Sequence, residues 1–239
     1  KAFDVRVLNA KVKSAVSAKV YIVFWRIVHS KHRARQTEPE VCDIVGKSTR
    51  SIFMSDYFNL GSYSRPVSDV PDAQMWFDRG LVWLFAYNHE EAIVCFEKAL
   101  KADPVCALAQ WGIAYAIGPN YNKPWEFFTP EEKSPALERA HTALKAGLAL
   151  DNAKPVERAL IQALASRYPT DPEIEDYQPF NDGFAAAMKP VYEAHCDDLD
   201  IAFAYAEAMM NRTPWQLWDF HNGVPNPDAS TPEAMAVLE

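Results

Sequence analysis

Cysteine is sparse in this chain and poorly placed for chemistry. The four thiols, Cys42, Cys95, Cys106 and Cys196, are spread over 239 residues without a single C-x-x-C pair. That spacing excludes a disulfide framework and a zinc site, and predicts reduced thiols in a cytoplasmic setting. No run is long enough to span a membrane. The longest apolar stretch, Val20 to Trp25, lies between Lys19 and Arg26, far short of the ~20 residues a spanning helix needs. The chain also lacks G-x-S-x-G, a Walker loop, H-E-x-x-H and G-x-G-x-x-G, so the sequence signals neither an activated nucleophile nor a phosphate cradle. Bases are few beyond the N-terminus. Residues 1–36 hold nine Lys or Arg against Asp4 alone, while the remaining chain holds 15 bases and 31 acids. So acidic a body excludes nucleic acid as the main partner, because phosphate binding needs a basic face.

What is present is ordinary globular material, 49% apolar and 23% charged, with few glycines and abundant alanine, a composition suited to close-packed helices. Residues 1–36 form a basic N-terminal arm or targeting segment centred on VYIVFWRIV. Being Arg-rich and acid-poor, the arm has the character of an organellar transit peptide, and equally of a β-prone or helical arm. Residues 37–71 read as a linker punctuated by Ser, Pro and Gly. From residue 72 to 239 the pattern is helical. Asn88 with Glu91, and Thr129-Pro130-Glu131-Glu132, are helix starts of the cap-plus-glutamate kind. Asp171-Pro172, Thr213-Pro214 and Thr231-Pro232 repeat a cap followed by proline at the first helical position.

Residues 73–106, AQMWFDRGLVWLFAYNHEEAIVCFEKALKADPVC, carry the decisive pattern. Trp76, Gly80 and Trp83 share one helical face. Ala92, Phe96 and Ala99 share a face of the next helix, and Pro104 closes the unit. Over 34 residues this resembles the tetratricopeptide repeat. Small residues let two antiparallel helices approach, so Gly80 is expected opposite Ala92 with Phe96 buried beside them. A second unit opens at residues 107–118 and finds its second helix late, with Ala140, Leu144 and Gly147 as counterparts of Ala92, Phe96 and Ala99. Residues 155–168 and 180–195 suggest a third pair. The expected fold is all-α, a tetratricopeptide-like helix-hairpin superhelix (an α-solenoid) with irregular insertions between helices. The strings WFDRGLVWLFAYNHEEAIVCFEKAL, WGIAYAIGPNYN, PVERALIQALASRYP and MNRTPWQLWD further resemble a family of bacterial and fungal repeat proteins with no assigned chemistry, over about residues 72–239. Members of that family continue further, with more helix pairs and His-rich segments. The resemblance therefore implies a repeat domain truncated at its C-terminus. In that case the short helix announced by Thr231-Pro232 leaves an apolar face open to a longer chain, to self-association or to the basic arm.

The candidate ligand-binding residues are Asn120, Tyr121, Asn122, Trp125, His89, Trp215 and Trp218. The first four lie in the long second-unit insertion, and such loops are often functional. Trp125, Phe127 and Phe128 are equally expected to plug that loop onto the core. His89 opens the first turn of a helix whose Asn88 and Glu91 are explained by capping alone. Trp215 and Trp218 belong to PWQLWDFH, an aromatic concentration that suits either a binding hot spot or a wedge between helices. Glu138 and His141 share a face but form only one half of a metal-ligand set. Cys95 and Cys196 read as buried core thiols. A clamp for acidic peptide tails is disfavoured, because the groove-lining positions of the first helix are Phe77 and Leu81. The reading is of a scaffold that binds a protein segment or small ligand in its concave groove, without catalytic residue, metal or cofactor. The alternative is an enzyme or metal- and ligand-binding protein using the Asn120-Tyr121-Asn122 loop with nearby His and Glu. A converging pocket favours the alternative; an open groove with scattered histidines favours the scaffold.

Overall fold

The structure, a computed structural model, describes residues 59–239. The basic arm, most of the linker and Cys42 lie outside the described residues. Eight α-helices account for most of what is described. They are α1 (Pro71–Phe85), α2 (His89–Ala102), α3 (Ala107–Ile117), α4 (Pro130–Leu148), α5 (Pro155–Ala165), α6 (Gln178–Ala194), α7 (Leu199–Met210) and α8 (Thr231–Leu238). Strand among the described residues is confined to a short pair, β1 (Trp218–Asp219) with β2 (Val224–Pro225), antiparallel. None of the helices is long and apolar enough to cross a membrane.

Each helix packs on the next, from α1·α2 through to α7·α8, and α3 also meets α1 and α5. The reason is visible in α3, ALAQWGIAYAI, which is buried on nearly every side. A helix apolar all round belongs in the middle of a structure. Phe96 on α2 joins three helices. It is fully buried, and its ring lies between Gly80 of α1 and Gly112 of α3. A Cβ on Gly80 would stand 2.6 Å from the ring, and one on Gly112 equally close on the other side. Gly80 is thus required by the Phe96 ring itself. Ala140, Leu144 and Gly147 are buried on α4 as expected of their late position. Phe77 and Leu81, expected to line a groove, are buried in the core instead, Phe77 with its ring 5.6 Å from that of Phe96. With Gly80 and Leu84 they form the buried stripe of α1, and Phe77 meets α2 on it.

The helix starts divide into those that hold and those that do not. Thr129 opens α4 with its N–H donating to the Glu132 carboxylate at 2.9 Å. Asn88 caps α2 by position, without a side-chain bond. Asp171-Pro172 and Thr213-Pro214 begin no helix; Asp171 instead accepts the Glu173 N–H at 2.9 Å in a local turn. α6 ends at Ala194, which puts Cys196 in the following turn, where it is exposed, while Cys95 and Cys106 are buried; all three are free thiols. Burial pushes the Cys95 and Cys106 thiols up to about 11.

The extended segment before α1 is tied down along its length. Gln74 accepts the Val67 N–H at 2.8 Å and donates to the Arg65 carbonyl at 2.7 Å. The Arg65 guanidinium reaches α7, donating to Asp198 at 2.7 Å and Asp200 at 2.8 Å, and the Tyr63 hydroxyl donates to Asp200. Burial raises the Asp200 carboxyl despite these partners. The start of α7 is therefore joined to the start of α1, while Phe85 at the end of α1 packs on Phe203 of α7 at 4.5 Å.

Candidate functional site

The turn between α1 and α2 sets the site. Its hydrogen bonds are those of a helix-ending Schellman motif: the Tyr87 N–H donates to the Leu84 carbonyl at 3.0 Å and the Asn88 N–H to Trp83 at 2.9 Å. The motif requires a left-handed residue, normally glycine, and the chain places Tyr87 there with φ 61°. Such a conformation costs a bulky residue on the order of 1–3 kcal/mol. The Tyr87 side chain is held from two sides. Its ring stacks on His89 at 5.7 Å, and its hydroxyl lies 3.4 Å from the carboxylate of Glu207 on α7.

His89 in turn meets the insertion loop. Asn120 folds the loop on itself: its side-chain oxygen accepts the N–H of Asn122 at 2.9 Å and of Lys123 at 3.1 Å. With the oxygen committed, the Asn120 amide nitrogen donates to His89 Nδ1 at 3.2 Å. Burial, with the Arg167 charge in support, holds the His89 pKa down to about 4. The ring is therefore neutral at pH 7, with Nδ1 accepting and the proton on Nε2. Gly118 brings the loop close, since a Cβ there would strike the Tyr168 hydroxyl.

Tyr121 extends the set to a second strained residue. Its ring lies 5.4 Å from that of Trp215, which follows Thr213-Pro214 with φ 65° and remains 57% exposed. Tyr87 and Trp215 are the two non-glycine left-handed residues among those described, and both sit on this one constellation. His89 and Asn120 also line an open cleft of about 410 Å³ with Ile117, Lys123, Phe128 and Arg139, within the size range of small-molecule sites.

Four of the seven residues singled out from sequence thus come together: His89, Asn120, Tyr121 and Trp215. The other three are placed differently. Asn122 is exposed at the loop tip and contributes its backbone. Trp125 is fully buried beneath the loop, stacked on Tyr177 at 5.2 Å and tilted against Phe128 at 5.0 Å. Trp218 is half-buried in β1 and pairs with Pro225. His141 lies apart from the site, with its Nε2 2.9 Å from the Pro169 carbonyl. The carbonyl can only accept, so that nitrogen carries the proton. Among the described residues no group of three His, Cys, Asp or Glu is placed to hold a metal ion.

Sequence reasoning missed the inner wall of the site. Tyr115 on α3 donates to Glu207; burial first, then that carboxylate, pushes the phenol well above its usual value. Arg167, just past α5, is fully buried, its guanidinium 5.6 Å from the Tyr115 ring and 5.0 Å from the Phe184 ring. A signal for Glu207 existed: it is the one charge in IAFAYAEAMM, a run too apolar for that acid to face water. Comparison of the chain with protein-family models, with curated proteins and with solved structures found no match.

Proposed function

We propose that this chain is a tetratricopeptide-like array of helix hairpins that serves as a binding scaffold, and that it takes a small ligand at the face formed by His89, Asn120, Tyr121 and Trp215. The repeat reading is supported by the sequential packing of the helices and by the two glycines that clasp Phe96. The observation that carries the ligand reading is Trp215. A left-handed tryptophan, 57% exposed, gains little for folding from its burial and loses energy to its backbone. Residues kept in such a state cluster at ligand sites. A peptide lying along the first helix is less favoured, since Phe77 and Leu81 are already covered by the core. His89 and Asn120 line one cleft, and the Tyr121–Trp215 pair adjoins it through the same loop, an arrangement that fits a small molecule better than an open groove does.

The test is native mass spectrometry of the purified chain for retained small molecules, with a thermal-shift screen of metabolites beside it. Trp215→Gly relieves the strained φ, so it should melt at or above the wild-type temperature while losing the ligand. His89→Ala should lose the ligand as well. A Trp215→Gly protein that is clearly destabilised yet binds as before, or a wild-type chain that answers to no small molecule, would overturn the reading.

A further inference from the structure

The buried arginine has no acceptor of its own. Arg167 is fully buried, and Nε, Nη1 and Nη2 all lack a hydrogen-bond partner. The rings of Tyr115 and Phe184 lie against it, their centroids 5.6 and 5.0 Å from the guanidinium carbon; aromatic contact of this kind attracts the cation but gives its N–H groups no acceptor. Glu207, the buried acid on the other side of Tyr115, gives Oε2 to Tyr115 and Oε1 to Tyr87. A buried charge without a counter-charge in contact is costly, and proteins keep one only where something pairs with it.

The neighbouring unmet groups are donors too. Trp111 Nε1, one turn before Tyr115 on α3, is buried without an acceptor. So is Asn211 Nδ2, one turn beyond Glu207 at the end of α7. Indole N–H and guanidinium groups can only donate. Glu207 balances the charge of Arg167 at a distance through Tyr115 but leaves the guanidinium donors unmet, and unmet donors call for a group rich in acceptors. Arg167 adjoins the cleft through His89, which lines it and lies close enough for the Arg167 charge to lower its pKa.

We propose that Arg167 is the anion-recognising residue of this site, and that the ligand presents a carboxylate or phosphate group to its guanidinium fork. This rests on the reading of the face as a ligand site and adds the chemical class of the ligand. The planar fork matches both oxyanions two bonds at a time, which a lysine cannot do.

The experiment titrates the full chain with acetate or with inorganic phosphate, each against chloride at matched ionic strength, and follows the melting temperature. One of the two should give a saturable rise of about 5 °C or more at a hundredfold excess over Kd; which one does so distinguishes the two sources. Arg167→Met should abolish the response and melt at or above the anion-free wild type, because it removes an unpaired buried charge. Arg167→Lys should weaken Kd at least tenfold, and it decides the matter if the methionine variant fails to fold. A wild type indifferent to both anions, or an unchanged affinity in Arg167→Lys, would overturn the proposal. A copurifying ligand lost in Trp215→Gly but retained in Arg167→Met would break this inference alone. A chain that binds no small molecule would break the reading beneath it.

Discussion

Phe96 and its two glycines give the sharpest test of the packing. In an isolated helix, Gly80→Ala stabilises by about 1 kcal/mol, since alanine has the better propensity. Here the new Cβ would lie 2.6, 2.7 and 3.0 Å from three Phe96 ring carbons. A side chain that could swing away would make the change neutral. Phe96 cannot, because Gly112 faces the opposite edge, where a Cβ would likewise meet the ring at 2.6 Å. The ring can leave one glycine only by closing on the backbone of the other helix. Overpacking of a closed core costs about 1–3 kcal/mol, and a ring trapped on both sides belongs in the upper half of that range. The net expectation is a loss of about 1–2 kcal/mol for Gly80→Ala, and the same for Gly112→Ala. For a domain of this size that is a fall in melting temperature of about 3–6 °C. The assay is calorimetry on the single variants and on each combined with Phe96→Leu. In the leucine background the clash disappears and the propensity gain remains, so alanine should become neutral or stabilising, a coupling of about 1 kcal/mol or more. Alanine substitutions that stabilise the wild type, or that cost as much in the Phe96→Leu background as in the wild type, would refute the trapped-ring geometry.

Other outcomes follow from the same contacts. His89 has its pKa lowered to about 4 from an ordinary 6.5, so the unfolded chain binds more protons between those values and stability rises with pH across that window; His89→Gln should flatten this part of the melting-temperature profile relative to wild type, and an identical profile would contradict burial of a neutral ring. In a Cys42→Ser background, a thiol reagent at neutral pH should modify Cys196 at once and reach Cys95 and Cys106 only on unfolding; fast labelling of either buried thiol would show that the α2–α3 region opens. Arg65→Ala strands Asp198 and the deeply placed Asp200 without their cation and should cost about 3 kcal/mol in urea denaturation, with faster proteolysis of the segment before α1; a loss below about 0.5 kcal/mol, the scale of an exposed ion pair, would mean the clasp is idle.

The sequence by itself determined where the helices lie. Gly80, Ala92, Phe96 and Ala99 announced a close-packed pair through spacing alone, and residues 107–118 announced the helix that opens the next unit. Those signals are local: a period of 3.6 and a small residue at a contact are properties of neighbours in the chain. Local cap signals sufficed only where an apolar face followed them. Thr129-Pro130 leads into Ala136, Leu137, Ala140 and Leu144, all buried, and a helix forms. Asp171-Pro172 leads into EIEDYQ, which has no such face, and none forms. At Thr213-Pro214 the chain turns left-handed at Trp215, against Tyr121 from a loop far earlier in the chain. The candidate site was legible in its parts, as His89, Asn120, Tyr121 and Trp215, but not in its assembly. Only tertiary structure decided that Tyr115 meets Glu207 across 92 residues, that Arg65 holds α7 across 133, and that Arg167 lies against the Tyr115 and Phe184 rings with no acceptor. The reason is physical. A charge on a helix reads as a solvated face until another helix covers it, and which helix does so depends on how the whole array closes.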